Sequence, residues 1–248
     1  MFDSLPLLLA TAATIGLVHT LAGPDHYVPF IAMARVGNWS WQRTMLVTAL
    51  CGVGHVLGSV VLGLVGIAIG LALSGIEAFE GFRGDIAAWL LLSFGVAYAA
   101  WGVRHALRRR RHAHVHVHTD GTVHDHWHDH TGEHAHVHAP PLVPAAEAAA
   151  GGASVSRMTP WVLFTIFVFG PCEPLIPLLM YPAAESHWMA AVLVALVFSA
   201  ATIGTMLVVV AAAHVGLARL SLSRFEPYSH LAAGAALAAC GGLMVFGL

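Results

Sequence analysis

Six apolar stretches, each at least as long as the ~20 residues that a bilayer core demands of a helix, leave this chain few folds to choose from. They cover residues 5–36, 44–73, 86–106, 160–181, 189–214 and 229–248. Only 10% of the 248 residues are charged and 58% are hydrophobic, whereas a soluble domain carries about a quarter charged. The expected fold is an all-α polytopic membrane protein with six transmembrane helices. Trp39, Trp41, Trp161, Tyr181 and Trp188 stand at the edges of the stretches, where interfacial aromatics belong. In the second stretch Gly54, Gly58, Gly66 and Gly70 fall at small-xxx-small spacing, which suits close helix contact.

Arginine orients the expected topology. Arg35 and Arg43 follow the first stretch. Arg104, Arg108, Arg109, Arg110, Arg111 and Arg157 follow the third, and Arg219 and Arg224 the fifth. These positions share one side. Arg83 stands alone on the other, beside Glu77, Glu80 and Asp85. The positive-inside rule then places both termini outside the plasma (inner) membrane and the large central loop in the cytoplasm. Residues 1–106 form a first three-helix half, 107–158 the loop, and 159–248 a second half. Within the loop, residues 139–156 are rich in Ala, Pro and Gly and read as a flexible linker.

The polar remainder excludes several functions. The chain has no lysine, so it offers no Walker A loop, kinase-type lysine or Schiff base. No ATPase or other enzymatic activity and no resident cofactor are expected. A formal charge of −2 gives no electrostatic case for nucleic acid. Cys51, Cys172 and Cys240 are odd in number and widely spaced, so they form no disulfide framework. Residues 1–4 lack a basic n-region, so the first stretch is expected to be a helix and not a leader.

Two stretches carry matching interruptions. The first contains Gly23-Pro24-Asp25-His26-Tyr27-Val28-Pro29; the fourth contains Gly170-Pro171-Cys172-Glu173-Pro174-Leu175-Ile176-Pro177. A proline inside a helix removes a hydrogen bond and clashes with the carbonyl four residues back. It also disfavours the α region for the residue before it. Both helices should break at Gly-Pro and restart with proline in the first turn. One stretch runs inward and the other outward, so the halves form an inverted repeat. Broken helices in inverted repeats point to a substrate site at the bilayer midplane. Asp25 and Glu173 have an alternative role as acidic groups near a helix N-terminus, although carboxylates at membrane depth usually mark function.

Around these breaks the chain gathers metal donors. His19, Asp25 and His26 lie within eight residues. The second stretch adds His55 and the fourth adds Cys172 and Glu173. Imidazole with a thiolate suits late first-row divalent ions, whereas Mg²⁺ or Ca²⁺ would want oxygen ligands. His214 and His230 fall at stretch ends and read as interfacial. Cys51 and Cys240 read as packing residues.

The run from His19 to Met33, HTLAGPDHYVPFIAM, resembles the first-helix signature of the nickel/cobalt permease superfamily, and is most similar to its urease-accessory-type transmembrane branch. That motif is a His, a short spacer and then Asp-His, here His19, Asp25 and His26. His55 in its Gly-His-x-x-Gly setting is similar to the family's second helix. The resemblance implies transport of Ni²⁺ or Co²⁺ through these residues. The spacer departs from the family's usual four residues by having five, Gly-Pro included. A membrane accessory factor delivering metal to a urease- or hydrogenase-type enzyme, with metallochaperone or maturation partners, is the alternative. Thiol-redox carriers of the cytochrome-biogenesis type share the two-half outline. They need a cysteine at each break, and this chain has Cys172 at one and Asp25 at the other. Sulfite-exporter-like carriers would favour arginine in the spans.

The central loop holds eleven of the 18 histidines. They are His112, His114, His116 and His118, then His124, His126, His128 and His130, then His134, His136 and His138. With Asp120, Asp125, Asp129 and Glu133 interspersed, this tract is expected to stay disordered without metal. It would bind Ni²⁺, Co²⁺, Zn²⁺ or Cu²⁺ reversibly as an auxiliary capture site.

Overall fold

The computed structural model describes residues 5–70, 73–109, 112–117, 123–128, 150–184, 187–218 and 228–247. Helices dominate. Leu5–Ala22, Trp41–Ala68, Leu73–Leu107 and Trp188–Leu217 are each long and apolar enough to cross a membrane, and Pro160–Phe169 and Ser229–Val245 are shorter apolar helices. Large apolar side chains such as Leu7, Trp161, Met189 and Val208 are exposed, as lipid-facing positions of a membrane protein are.

The first apolar stretch breaks where the proline rules require. Helix α1 (Leu5–Ala22) ends one residue before Gly23, whose backbone is extended, and Pro24 opens a single 3₁₀ turn, Pro24–His26. Helix α2 (Val28–Val36) then resumes, with Pro29 in its first turn. Helix α3 (Trp41–Ala68) starts behind Ser40, whose hydroxyl accepts from the Arg43 N–H at 3.3 Å. It ends before Gly70, which adopts φ +73°. The fourth stretch divides into α5 (Ala150–Phe169) and α6 (Leu175–Ala184). Here the restart comes later than expected, at Leu175 and not at Pro171. Pro174 disfavours helical backbone at Glu173, so the turn lasts until both prolines are passed. Helices α7 (Trp188–Ala218) and α8 (Ser229–Val245) complete the chain.

Three expectations need correction. Glu77, Glu80, Arg83 and Asp85, expected between the stretches 44–73 and 86–106, lie within a helix, because α4 runs unbroken over Leu73–Arg109. Its 37 residues span about 55 Å, well beyond a ~30 Å hydrocarbon core. Residues 150–156, read as linker, begin α5, although Gly151 and Gly152 are poor helix formers. The histidine tract is not wholly irregular either. His112–Val117 (β1) and Val123–His128 (β2) pair antiparallel, with His112 opposite His128, His114 opposite His126 and His116 opposite His124. The period-two alternation of HAHVHV and VHDHWH, with valine and tryptophan between the polar positions, is a strand pattern. His118, His130, His134, His136 and His138 lie outside the described residues.

The packing has a cross-linked order. Helix α1 lies along α7, α5 lies on α3, and α4 lies along α8. The tightest approach is α4 against α8, through Gly95 and Gly102 on one helix and Gly234 and Gly241 on the other. A Cβ built on any of the four would come within 2.2–2.5 Å of a backbone nitrogen of the facing helix. The small-residue positions singled out on α3 make contacts of another kind. Gly54 meets Val168 and Phe164, Gly58 meets Arg83 and Val168, and a Cβ on Gly70 would meet nothing within 4 Å.

Candidate metal centre

His19 sits in the last turn of α1, His26 in the 3₁₀ turn and His55 midway along α3. A continuous first helix would carry the backbone on past the site. The Gly-Pro break turns it, so that the His26 ring lies 4.8 Å from that of His19 and 5.0 Å from that of His55. One ligand nitrogen from each of the three can be chosen so that all lie within 4.8 Å of one another. Nitrogens bound at about 2 Å to one ion stand at most ~4 Å apart, so a shift of about 1 Å brings the trio to coordination distance. His26 and His55 are buried.

The ring nitrogens are prepared for a ligand. The Nδ1 of His26 lies 3.1 Å from the Gly23 carbonyl, which can only accept, and 3.3 Å from Asp25 Oδ2. Nδ1 therefore carries the proton and donates, which leaves the Nε2 lone pair free. A carbonyl or carboxylate behind the second ring nitrogen is the usual setting of a metal-binding histidine. The Nε2 atoms of His19 and His26 and both ring nitrogens of His55 are buried without a hydrogen bond of ordinary geometry. Each such group costs about 1–3 kcal/mol, and an ion takes one nitrogen from each of the three rings, so the three together reach about 3–9 kcal/mol. That is on the scale of a whole protein's stability, and a bound cation would recover it.

The glycines of the two breaks form part of the wall. A Cβ on Gly23 would lie 2.6 Å from His26 Nδ1 and 2.8 Å from Asp25 Oδ1, and one on Gly170 would lie 2.9 Å from His55 Nδ1. Each break thus presses against one histidine of the trio. Phe167 closes another side, its ring 6.1 Å from His55 and packed on Phe30 at 4.6 Å.

Of the six intramembrane residues expected to form the site, the structure brings His19, His26 and His55 together, with Asp25 behind His26. Cys172 is buried at the second break, but its backbone N–H is held by Ser59 Oγ at 3.1 Å and Glu80 Oε2 at 3.2 Å. Glu173 is exposed. Neither belongs to the histidine grouping. Cys51, Cys172 and Cys240 are all unbridged. Sequence reasoning overlooked Gly170 as a wall, and it overlooked Ser59, Glu80 and Arg83. Ser59 lies four residues after His55, on the same face of α3, and that spacing was the available signal.

No family model, curated protein or solved structure matches this chain. The group stands on its own chemistry as a three-imidazole cluster, two of its rings buried and one half-buried, able to hold a metal ion inside a helical membrane protein.

Asp25 orients His26, so Asp25→Ala is expected to weaken metal binding by about 10- to 100-fold, as loss of an outer partner does. Competitive titration of the purified protein with Ni²⁺ would measure this. Unchanged affinity would mean that Asp25 has no hold on the ligand.

Proposed function

We propose that this chain carries a divalent transition-metal cation, nickel or cobalt, across the membrane through His19, His26 and His55. The observation that carries the reading is the set of buried, unpaired imidazole nitrogens gathered where the two broken helices meet. A site for a resident structural ion has no need of broken helices. A translocation site does, because half-helices can shift independently around a fixed centre. The packing of α1 on α7, α5 on α3 and α4 on α8 supports two inverted three-helix halves, since a two-fold relation exchanges the first two contacts and preserves the third. Both termini would then face outward, with the histidine tract in the cytoplasm. The preference for nickel or cobalt rests on the imidazole donors and on the resemblance of the HTLAGPDH run to permease first helices.

Cellular nickel and cobalt accumulation, with and without expression at matched external metal, tests direction and selectivity together. Expression is expected to change the content of one of the two metals. Purified protein in metal-loaded proteoliposomes separates transport from delivery: binding without flux would replace the transporter by an accessory factor.

A further inference from the structure

An unbroken helix through the second interruption would bond the Cys172 N–H to the Val168 carbonyl, four residues back. In this structure a different group holds each end of that bond. The Cys172 N–H donates to Ser59 Oγ at 3.1 Å and to Glu80 Oε2 at 3.2 Å. The Val168 carbonyl accepts from Arg83 Nη2 at 2.7 Å. The two inserted side chains are themselves an ion pair, Arg83 donating to Glu80, and Ser59 Oγ donates to the same carboxylate at 3.0 Å. Glu80 and Ser59 are fully buried. Two glycines make room for the insertion. A Cβ on Gly58 would lie 2.6 Å from Arg83 Nη2, and one on Gly84 would lie 2.8 Å from the Pro171 ring.

We propose that Glu80 and Arg83 are positioning residues of the histidine site, acting as a wedge that replaces one backbone hydrogen bond by an ion pair and so holds Gly170 against His55. The proposal takes from the metal reading only what the break faces. Charge alone does not define the wedge, because polarity matters at each end. An N–H needs an acceptor and a carbonyl needs a donor, so the carboxylate must stand at position 80 and the guanidinium at position 83. A helix with its Cys172-to-Val168 bond closed excludes the wedge. The closed bond and the wedge are therefore mutually exclusive, and Ser59 and Glu80 shield the Cys172 backbone only where the wedge is in place.

The test uses the full chain in lipid nanodiscs, with Cys51→Ala and Cys240→Ala leaving Cys172 as the only thiol, and follows alkylation by N-ethylmaleimide. Arg83→Gln is expected to speed alkylation by at least about tenfold, as loss of the wedge frees the break to leave the arrangement that buries the thiol. Gly58→Ala, which displaces the guanidinium without removing any charge, should do the same in a folded protein. The exchange Glu80→Arg with Arg83→Glu should leave Cys172 reactive. Parental protection in Gly58→Ala, or protection restored by the exchange, would overturn the wedge. A second readout is the part of the Co²⁺ binding isotherm that disappears in His26→Ala; this part should weaken in Arg83→Gln. If no such part exists, the metal reading falls while the alkylation result still decides the wedge.

Discussion

His26→Ala should abolish nickel or cobalt flux into proteoliposomes, while deletion of residues 112–138 should leave flux intact and lower only the apparent affinity. His26 is the hinge of the trio, with its ring about 5 Å from each of the other two. It is also the member whose tautomer the protein fixes, through the Gly23 carbonyl and Asp25. Without it, His19 and His55 face a gap that alanine cannot fill. Binding should fall by more than about a hundredfold, the upper end of what losing a mere outer partner costs. The histidine tract offers redundant donors in place of a fixed geometry, so its loss should be felt only at low metal. Flux that survives His26→Ala and vanishes with the tract would move the essential site into the loop.

Gly95→Leu should be the most destabilising substitution in the membrane portion. Its Cβ would meet the Ala238 nitrogen at 2.2 Å and the Ala238 Cα at 2.7 Å. Backbone cannot swing aside as a flexible side chain can, so α4 and α8 must separate along the contact that Gly102, Gly234 and Gly241 share. Overpacking typically costs 1–3 kcal/mol, and this contact should exceed about 3 kcal/mol. Gly242→Leu is the control, since a Cβ at Gly242 meets nothing within 4 Å. Thermal unfolding in detergent would compare the two. Equal melting temperatures would show that the close approach of α4 and α8 contributes little to stability.

The first break was legible because proline rules are local: Gly23-Pro24 dictates its own geometry, whatever packs around it. The same logic located the second break but misplaced its restart, because Pro174 reinforces Pro171 in a way that a single-proline rule does not capture. The trio was legible as residue types. Its geometry was not, since seven residues of separation mean one thing on a straight helix and another across a 3₁₀ turn. Glu80 and Arg83 were left between two apolar stretches because hydropathy scores charge without knowing what that charge will meet. Their partners, Cys172 and Val168, lie some ninety residues away, and no local pattern announces them. The α4–α8 contact was missed for a related reason. Glycines seven apart in an apolar run look like ordinary composition until the facing helix is known.

All three imidazoles come from the first half of the chain, on α1, the 3₁₀ turn and α3. The second half contributes Gly170 and Phe167, which offer no donor. For an ion held by the trio, choice of metal and timing of release would then be governed by different stretches of the gene. Variants that alter which ion is preferred should cluster before residue 60, and those that alter how fast it leaves should cluster around residues 167–175.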